Sequence, residues 1–257
     1  MSESARALTL TALHPLPEVL PGSDLAALLA TALEAAQLRL ANPDVLVVAQ
    51  KVVSKAEGRY VELASVTPGA RALELAAVTG KDARLVELVL GESTEVLRAR
   101  RDVLIVRHRT GLVMANAGID RSNLAPGAGE RVLLLPQDPD ASAQALRTAL
   151  AARLGIACGL IISDSFGRPW RRGVVNVAIG AAGVPSLLDR RGEPDRAGRR
   201  LEVTEVALAD ALAAAAGLLM GEADEGTPAV LIQGARRAGA ELPARALLRP
   251  LAEDLFR

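Results

Sequence analysis

The sequence predicts a mixed α/β fold, α/β in class with α+β character, and three observations carry that expectation. Short apolar runs at residues 45–49, 159–162, 174–179 and 229–233 have the length and β-branched content of buried strands. Between them lie longer segments with apolar residues at helical spacing, notably residues 139–154 and 204–219. Half of the 257 residues are hydrophobic, enough to fill a sizeable core. No internal repeat, low-complexity tract or linker interrupts the chain, so a single domain over residues 1–257 is expected.

Composition excludes several functions. Lys+Arg and Asp+Glu each number 30, so no global charge steers the chain to nucleic acid or to an anionic membrane. Aromatic residues make up 2%, too few for a base-stacking platform. Cys158 is the one cysteine, which rules out an intrachain disulfide and a cysteine-based zinc site; its apolar neighbours assign it to core packing. His14 and His108 are the two histidines, so one subunit cannot build a multi-histidine metal site. The N-terminus lacks a basic segment followed by an apolar core, and no run approaches the roughly 18 apolar residues of a membrane span. A soluble, cytoplasmic protein with no nucleic-acid and no membrane partner is expected.

In chain order, residues 8–13 alternate loosely and read as a strand, after a frayed start. The prolines of His14-Pro15-Leu16-Pro17-Glu18-Val19 forbid a helix there, leaving an extended segment that is either a connector or a pocket wall. Ser23 or Asp24 can cap a helix to about residue 39, with Leu25, Leu28, Leu29 and Leu33 on one face. Asn42-Pro43-Asp44 is a turn before the strand at 45–49. Helices are expected at 70–79 and 81–90, and paired strands at 102–107 and 111–115, with His108 and Arg109 at their turn. Residues 132–135 read as a strand, and 139–154 as a helix stopped by Gly155. Residues 180–183 with Pro185 read as a small-residue turn, and 189–200 as an exposed charged loop. A helix over 204–219 has Leu208, Leu212 and Leu219 in register. The strand at 229–233 follows, and the tail from 236 is helical or loose.

Polar residues gather after the strands. Gln50-Lys51-Val52-Val53-Ser54-Lys55 directly follows one, and two lysines with a serine there can meet nucleotide phosphates; a solvated lysine pair is the alternative. No GxxxxGK[ST] occurs, so this is not a P-loop. Asn116, Asp120 and Asn123 form a second group, either an Asx-rich turn or a metal and nucleotide site. Ser163-Asp164-Ser165 stands where an apolar strand is expected to leave the core, and consecutive oxygen ligands suit a hard divalent cation. Arg168, Arg171 and Arg172 follow and can meet phosphate or carboxylate groups. The acidic turn from Met220 to Gly226 opposes the dipole of the helix before it, so a counter-interaction is expected there: a metal, or solvent.

Five segments together resemble the coenzyme F420-0:L-glutamate ligases, or F420 gamma-glutamyl ligases. They are Leu16-Pro17-Glu18-Val19, the stretch from Gln50 to Arg59, Ala117-Gly118-Ile119-Asp120-Arg121-Ser122-Asn123, Ser163-Asp164-Ser165-Phe166-Gly167-Arg168-Pro169-Trp170-Arg171-Arg172-Gly173, and Gly221-Glu222-Ala223-Asp224-Glu225-Gly226. They occur in the family's order, and the similarity extends from about residue 8 to residue 235. The length agrees with the stand-alone form; some relatives carry a C-terminal flavin-binding nitroreductase-like domain.

The resemblance implies a mixed α/β fold without a P-loop and an intertwined homodimer. It implies a GTP-dependent, GDP-forming ligase that joins L-glutamate to coenzyme F420-0 through an amide, with further glutamates by gamma-linkage. Two divalent ions, Mg²⁺ or Mn²⁺, are implied, with Asp120 and Asp164 on one and Ser165 and Glu222 on the other; K⁺ is a further candidate. Leu16, Pro17, Glu18, Val19, Gln50, Lys55, Asn123, Met220, Gly221, Glu222, Ala223, Asp224, Glu225, Gly226 and Thr227 would surround GTP. Ser165 stands where some relatives have threonine, Glu222 where some have glutamine, and Gln50 where some have serine. The chemistry fits: a carboxylate must be activated before amide formation, most simply as an acyl phosphate, and F420-0 carries a phosphodiester for the arginines. The competing readings are a ligase for another carboxylated cofactor, such as a folate, and a nucleotide-binding module without turnover.

Overall fold

The most apolar runs are too short to bury themselves, and they pair with one another. The computed structural model describes residues 7–121, 130–235 and 239–254. Its first half contains β1 (Thr9–Ala12), α1 (Leu25–Ala35), β2 (Val45–Ala49), α2 (Gln50–Ala56), β3 (Tyr60–Glu62), α3 (Ala70–Thr79), α4 (Ala83–Gly91), β4 (Ser93–Arg100), β5 (Val103–His108) and β6 (Val113–Ala115). There follow β7 (Arg131–Leu133), α5 (Pro139–Leu154), β8 (Gly159–Arg168), β9 (Arg171–Ala182), β10 (Leu187–Asp189), β11 (Glu205–Ala207), α6 (Leu208–Met220) and β12 (Ala229–Gln233). The fold is mixed α/β. Among the described residues no helix is long and apolar enough to cross a membrane.

The main sheet has the order β1-β12-β2-β8-β9. Only β2 and β8 run parallel, with Val45 opposite Gly159 and Ala49 opposite Ser163. Alternate side chains of these strands fill two cores. Leu46, Val48, Leu160, Ile162 and Leu231 pack with Leu29 and Leu33 of α1 and Leu150 of α5. Val45, Val47, Ile161, Val230 and Ile232 pack with Leu212, Ala213 and Ala216 of α6. Asp24 caps α1 by accepting from Ala27 N at 2.9 Å. A smaller core joins α3 and α4 to the β4-β5-β6 sheet through Leu75, Val86, Val89, Leu104 and Val106. Glu92 ties this unit to the strand-end segment: its carboxylate lies 3.1 Å from Arg59 and 3.2 Å from Arg109, and 3.4 Å from the buried His108 Nε2. The His108 ring first, then Arg109 and Arg59, hold the Glu92 carboxyl down to about 2.

Strand β9 is the edge of the main sheet, and two helices close against it. Its pairing with β8 slips between Ile162 and Ser163, so Ile179 is an extra residue. Asp140, in the first turn of α5, accepts from Ala181 N at 2.9 Å. Asp210, in the first turn of α6, accepts from Ala178 N at 2.9 Å. Carboxylates from two helix starts thus satisfy edge N–H groups around the bulge. Burial raises the Asp210 carboxyl, and the Ala178 N–H opposes that rise. Gly180 is required between them, because a Cβ there would lie 2.2 Å from the Pro139 carbonyl oxygen.

The structure departs from the expectations where local pattern yields to pairing. Helix α1 stops at Ala35, short of residue 39, because Gln37 turns left-handed at φ 55. Ser163, Asp164 and Ser165 do not leave the sheet; β8 continues to Arg168 because β9 pairs along it. Gly180 lies in that strand and not in a turn. Residues 204–207 do not belong to the helix; β11 there pairs with β10. Strand β4 has no counterpart among the expectations, being mostly exposed and charged.

Asp140 is the carboxylate with the most backbone donors in this region. Besides Ala181 N it accepts from Ala244 N at 2.7 Å and Arg245 N at 3.2 Å. Asp140→Ala should lower stability by about 2–4 kcal/mol, because buried donors lose a charged acceptor. Arg245→Ala removes only the largely exposed partner of Asp140 and should cost less than about 1 kcal/mol. Urea denaturation of both variants checks the difference.

Candidate active site

Because β2 and β8 are parallel neighbours, their C-terminal ends lie side by side, the position where open α/β sheets place ligands. Strand β2 passes without a loop into α2, which puts Gln50, Lys51 and Lys55 at that end. Gln50 is buried and accepts from Ser54 Oγ at 2.9 Å, while Lys51 Nζ lies 2.6 Å from Asp120 Oδ2. Asp120 is itself fixed by a bridge to Leu133, with both N–H···O bonds at 2.9 Å. Before it Asn116, Ala117 and Gly118 take φ of 51, 53 and 68. Two non-glycine residues in this conformation store roughly 1–2 kcal/mol each. The turn redirects the chain so that Asp120 meets the end of β8.

Side chains alternate along β8. Ile161 faces α6 and Ile162 faces α1 and α5. Ser163 Oγ then reaches Met220 Sδ of α6 at 3.8 Å, so Asp164 points to the opposite side and Ser165 returns to the α6 side. Burial pushes the Asp164 carboxyl up to about 7. The Ser165 N–H, which donates to Asp164 at 2.9 Å, opposes that rise; the charge of Asp120 adds to it, Lys51 opposes it and Glu222 adds to it. Across the hairpin Ser165 pairs with Asn176, and Asn176 Nδ2 donates to Glu222 Oε1 at 3.1 Å.

The acidic turn after α6 carries its own counter-interactions. Glu225 accepts from Ala223 N at 2.8 Å, and backbone N–H groups, Ala223 first, lower its carboxyl. Glu222 takes the Asn176 amide. The expected compensation therefore comes from protein donors within the turn and the adjacent strand.

Two cavities open at this place. One, of about 450 Å³, is lined by Pro17, Glu18, Val19, Gln50, Lys51, Lys55 and the turn from Met220 to Thr227. The other, of about 760 Å³, has apolar walls from Ile105, Val113, Met114, Ile119, Phe166 and Val174, with Arg168 and Arg171 on it. Both include Gln50, Asp120, Asp164 and Ser165. Arg168 Nε is buried there without a hydrogen-bond partner, while its Nη2 donates to the Arg172 carbonyl at 3.2 Å. Arg172 lines neither cavity, and Leu16 packs into the main core. A third cavity, of about 790 Å³ beside Asp140 and Asp210, contains none of the candidate residues. Asn123 lies outside the described residues. Asn176 joins the site although nothing in the sequence singles it out, and Lys51, one of the two lysines expected to meet phosphates, pairs with Asp120.

The donor set suits a hard cation, since Asp120, Asp164, Ser165 and Glu222 offer only oxygen. Among the described residues no three His, Cys, Asp or Glu side chains gather as one metal-holding group. Asp164 and Ser165, one from each expected pair, lie on opposite faces of β8, and both line the two cavities together with Asp120. A carboxyl that burial first, and the charges of Asp120 and Glu222 after it, push up to about 7 is also one that a cation would relieve.

Comparison with known proteins shows the family. Residues 15–234 match the family model described as F420-0:Gamma-glutamyl ligase. The chain is 48% identical over 252 residues to the coenzyme F420:L-glutamate ligase of Methanopyrus kandleri, covering 95% of this chain and 97% of that protein. It is 45% identical over 255 residues to the protein of that name from Methanothermobacter thermautotrophicus, covering 97% and 99%. With the Halobacterium salinarum protein of the same name it shares 46% identity over 228 residues, covering 86% and 85%. Identity at this level along nearly the whole chain, with the family-model match over residues 15–234, places it in the F420-0:gamma-glutamyl ligase family.

Proposed function

We propose that this chain is a cytoplasmic, GTP-dependent ligase that joins the amino group of L-glutamate to a carboxylate of coenzyme F420-0 and then extends the product by gamma-linkages. The names of its relatives support the acceptor and the amino acid. The observation that carries the reading is the meeting of two unlike cavities at Asp120, Asp164 and Ser165. The smaller, with lysines and a backbone-rich turn, suits a nucleotide triphosphate. The larger, apolar with two arginines, suits a flat ring system bearing a phosphodiester.

The γ-phosphoryl group would pass from GTP to the acceptor carboxylate at the shared wall, leaving GDP and an acyl phosphate. The glutamate amine then attacks the acyl carbon; the C–N bond forms, phosphate leaves and the amine loses a proton. Lys55 and Lys51 place fixed positive charge where phosphate oxygens gain negative charge. Arg168 offers its buried Nε, and Arg171 its guanidinium, to the acceptor's anion. Mg²⁺ or Mn²⁺ held by Asp120 with Asp164 and by Ser165 with Glu222 would supply further charge neutralisation at the phosphates. Apolar walls exclude water that would hydrolyse an activated carboxylate.

Incubation with GTP, Mn²⁺, glutamate and F420-0, read by mass spectrometry, should give glutamylated F420 and one GDP per amide. Addition to a folate alone would transfer the reading to another acceptor, and absence of both product and GTP hydrolysis would leave a binding module. Asp164→Asn should lower turnover by about a hundredfold or more with little loss of stability. Asp164 also sets a pH dependence. Its folded-state value of about 7 exceeds the ordinary 3.8, so the metal-free fold holds a proton that the unfolded chain lacks. Stability of the metal-free protein should therefore fall as pH rises from about 4 to 7, while Mn²⁺ affinity should rise over the same interval and level off above it. Asp164→Asn should flatten both profiles, which calorimetry at several pH values checks.

Lys55→Met should weaken GTP binding roughly tenfold to a hundredfold, the loss of a charge-assisted contact of about 1.5–3 kcal/mol. Unchanged affinity by titration calorimetry would return Lys55 to a solvated surface role.

The active species is proposed to be a homodimer. Its support is the hairpin of β8 and β9, which carries Arg168 and Arg171 and ends in Trp170, 80% exposed, and Val174, 51% exposed. A second copy would cover the exposed Trp170 and Val174. Light scattering with activity across a dilution series should show loss of activity on dissociation; a folded monomer with full specific activity contradicts it.

A further inference from the structure

Glu222 sits in an exposed turn, where a glutamate would ordinarily sample many rotamers. The structure holds it. Asn176 is 9% exposed, and its Nδ2 donates to Glu222 Oε1 at 3.1 Å. Asn176 is also the cross-strand partner of Ser165, so one buried amide lies beside the hydroxyl and bonds the carboxylate. The last turn of α6 makes room for that amide. A Cβ on Gly217 would stand 2.6 Å from Asn176 Nδ2, closer than any Cβ approaches a neighbour.

We propose that Asn176 is a positioning residue for the ligase reaction, fixing the Glu222 carboxylate beside Ser165, and that Gly217 is the glycine this contact requires. The inference rests on the reading of Ser165 and Glu222 as ligands of one divalent ion. An amide is the side chain suited to the task. A lysine or arginine would neutralise Glu222 and oppose a cation, and an ionised aspartate would offer no donor and repel it. The Asn176 N–H occupies one oxygen of Glu222, adds no charge and leaves the second oxygen for the ion. Such outer partners orient metal-binding carboxylates and commonly alter affinity about 10–100-fold when removed. Holding the glutamate in one rotamer before the ion arrives also removes an ordering cost from binding.

The test is a Mn²⁺ titration followed by electron paramagnetic resonance, with and without GDP, on wild type, Asn176→Leu, Glu222→Ala and the double variant. Asn176→Leu keeps the branched outline and the number of heavy atoms, adds no charge and removes the donor. It should weaken one of two Mn²⁺ sites about tenfold or more. Glu222→Ala should weaken the same site at least as much, within the measurable range, and the double variant should be no worse than Glu222→Ala alone. That non-additivity is what a merely structural tie between α6 and β9 would not produce. Gly217→Ala, which keeps Asn176 but pushes its amide aside, should weaken the same site and serves if Asn176→Leu lowers the melting temperature. Two sites within twofold of wild type in both Asn176→Leu and Gly217→Ala, or losses that add in the double variant, would overturn the role of Asn176 alone. Wild-type affinity at both sites in Glu222→Ala would overturn the ion-site reading and the role of Asn176 with it.

Discussion

Parallel neighbours in a sheet end at the same level, and the site depends on Ala49 and Ser163 being such neighbours. Had β2 and β8 been antiparallel, the lysines after one and the carboxylate of the other would lie at opposite edges. Parallel pairing needs a long crossover, and here the intervening chain supplies more than a connection. It contains the small β4-β5-β6 unit with α3 and α4, which walls the larger cavity with Ile105, Val113 and Met114. It also contains the left-handed turn that aims Asp120. The segment required by topology therefore provides half of the site.

Electrostatics explains why this place is costly to build. Burial first, and then the charges of Asp120 and Glu222, raise the Asp164 carboxyl to about 7. Lys51 at 2.6 Å from Asp120 and the Ser165 N–H on Asp164 offset part of the repulsion. Clusters of this kind are expected where a site must later accommodate opposite charge. The contrast with Asp140 is instructive. It too is a buried carboxylate, but it accepts from three backbone N–H groups, and it serves the fold and not the chemistry.

Residues 45–49 and 229–233 are legible as strands from sequence because central strands buried on both faces must be apolar throughout. Residues 70–79 and 139–154 are legible as helices because of their apolar stripe and, for the second, the Gly155 stop; the Asp138 cap of the second emerges only in the structure. The polar end of β8 is not, because its pairing with β9 satisfies backbone groups without regard to side-chain polarity. The motif residues of the site announce themselves by unusual density, as in Ser163-Asp164-Ser165. Asn176 does not: a single asparagine in an apolar strand acquires meaning only when Glu222, 46 residues later, is placed against it. Lys51 and Asp120 are likewise joined across a separation no local pattern records.

The same contact also explains the composition around β9. Helices α5 and α6 press on this strand through Gly180 and Gly217, where any side chain would strike Pro139 or Asn176. The surrounding positions are small as well: Ala178 and Ala181 on the strand, and Ala209, Ala213 and Ala216 on the helix, all buried. Larger residues would enlarge the apolar area available for burial, which at about 25 cal/mol per Å² is a sizeable stabilisation forgone. What small residues allow is a short distance between helix and strand, and the turn after α6 inherits that distance. A helix displaced by one methylene layer would carry Glu222 out of hydrogen-bond reach of Asn176, since such bonds weaken steeply beyond their normal length. The close packing of this core and the geometry of the acidic turn are therefore one requirement, met by glycine and alanine at the same interface.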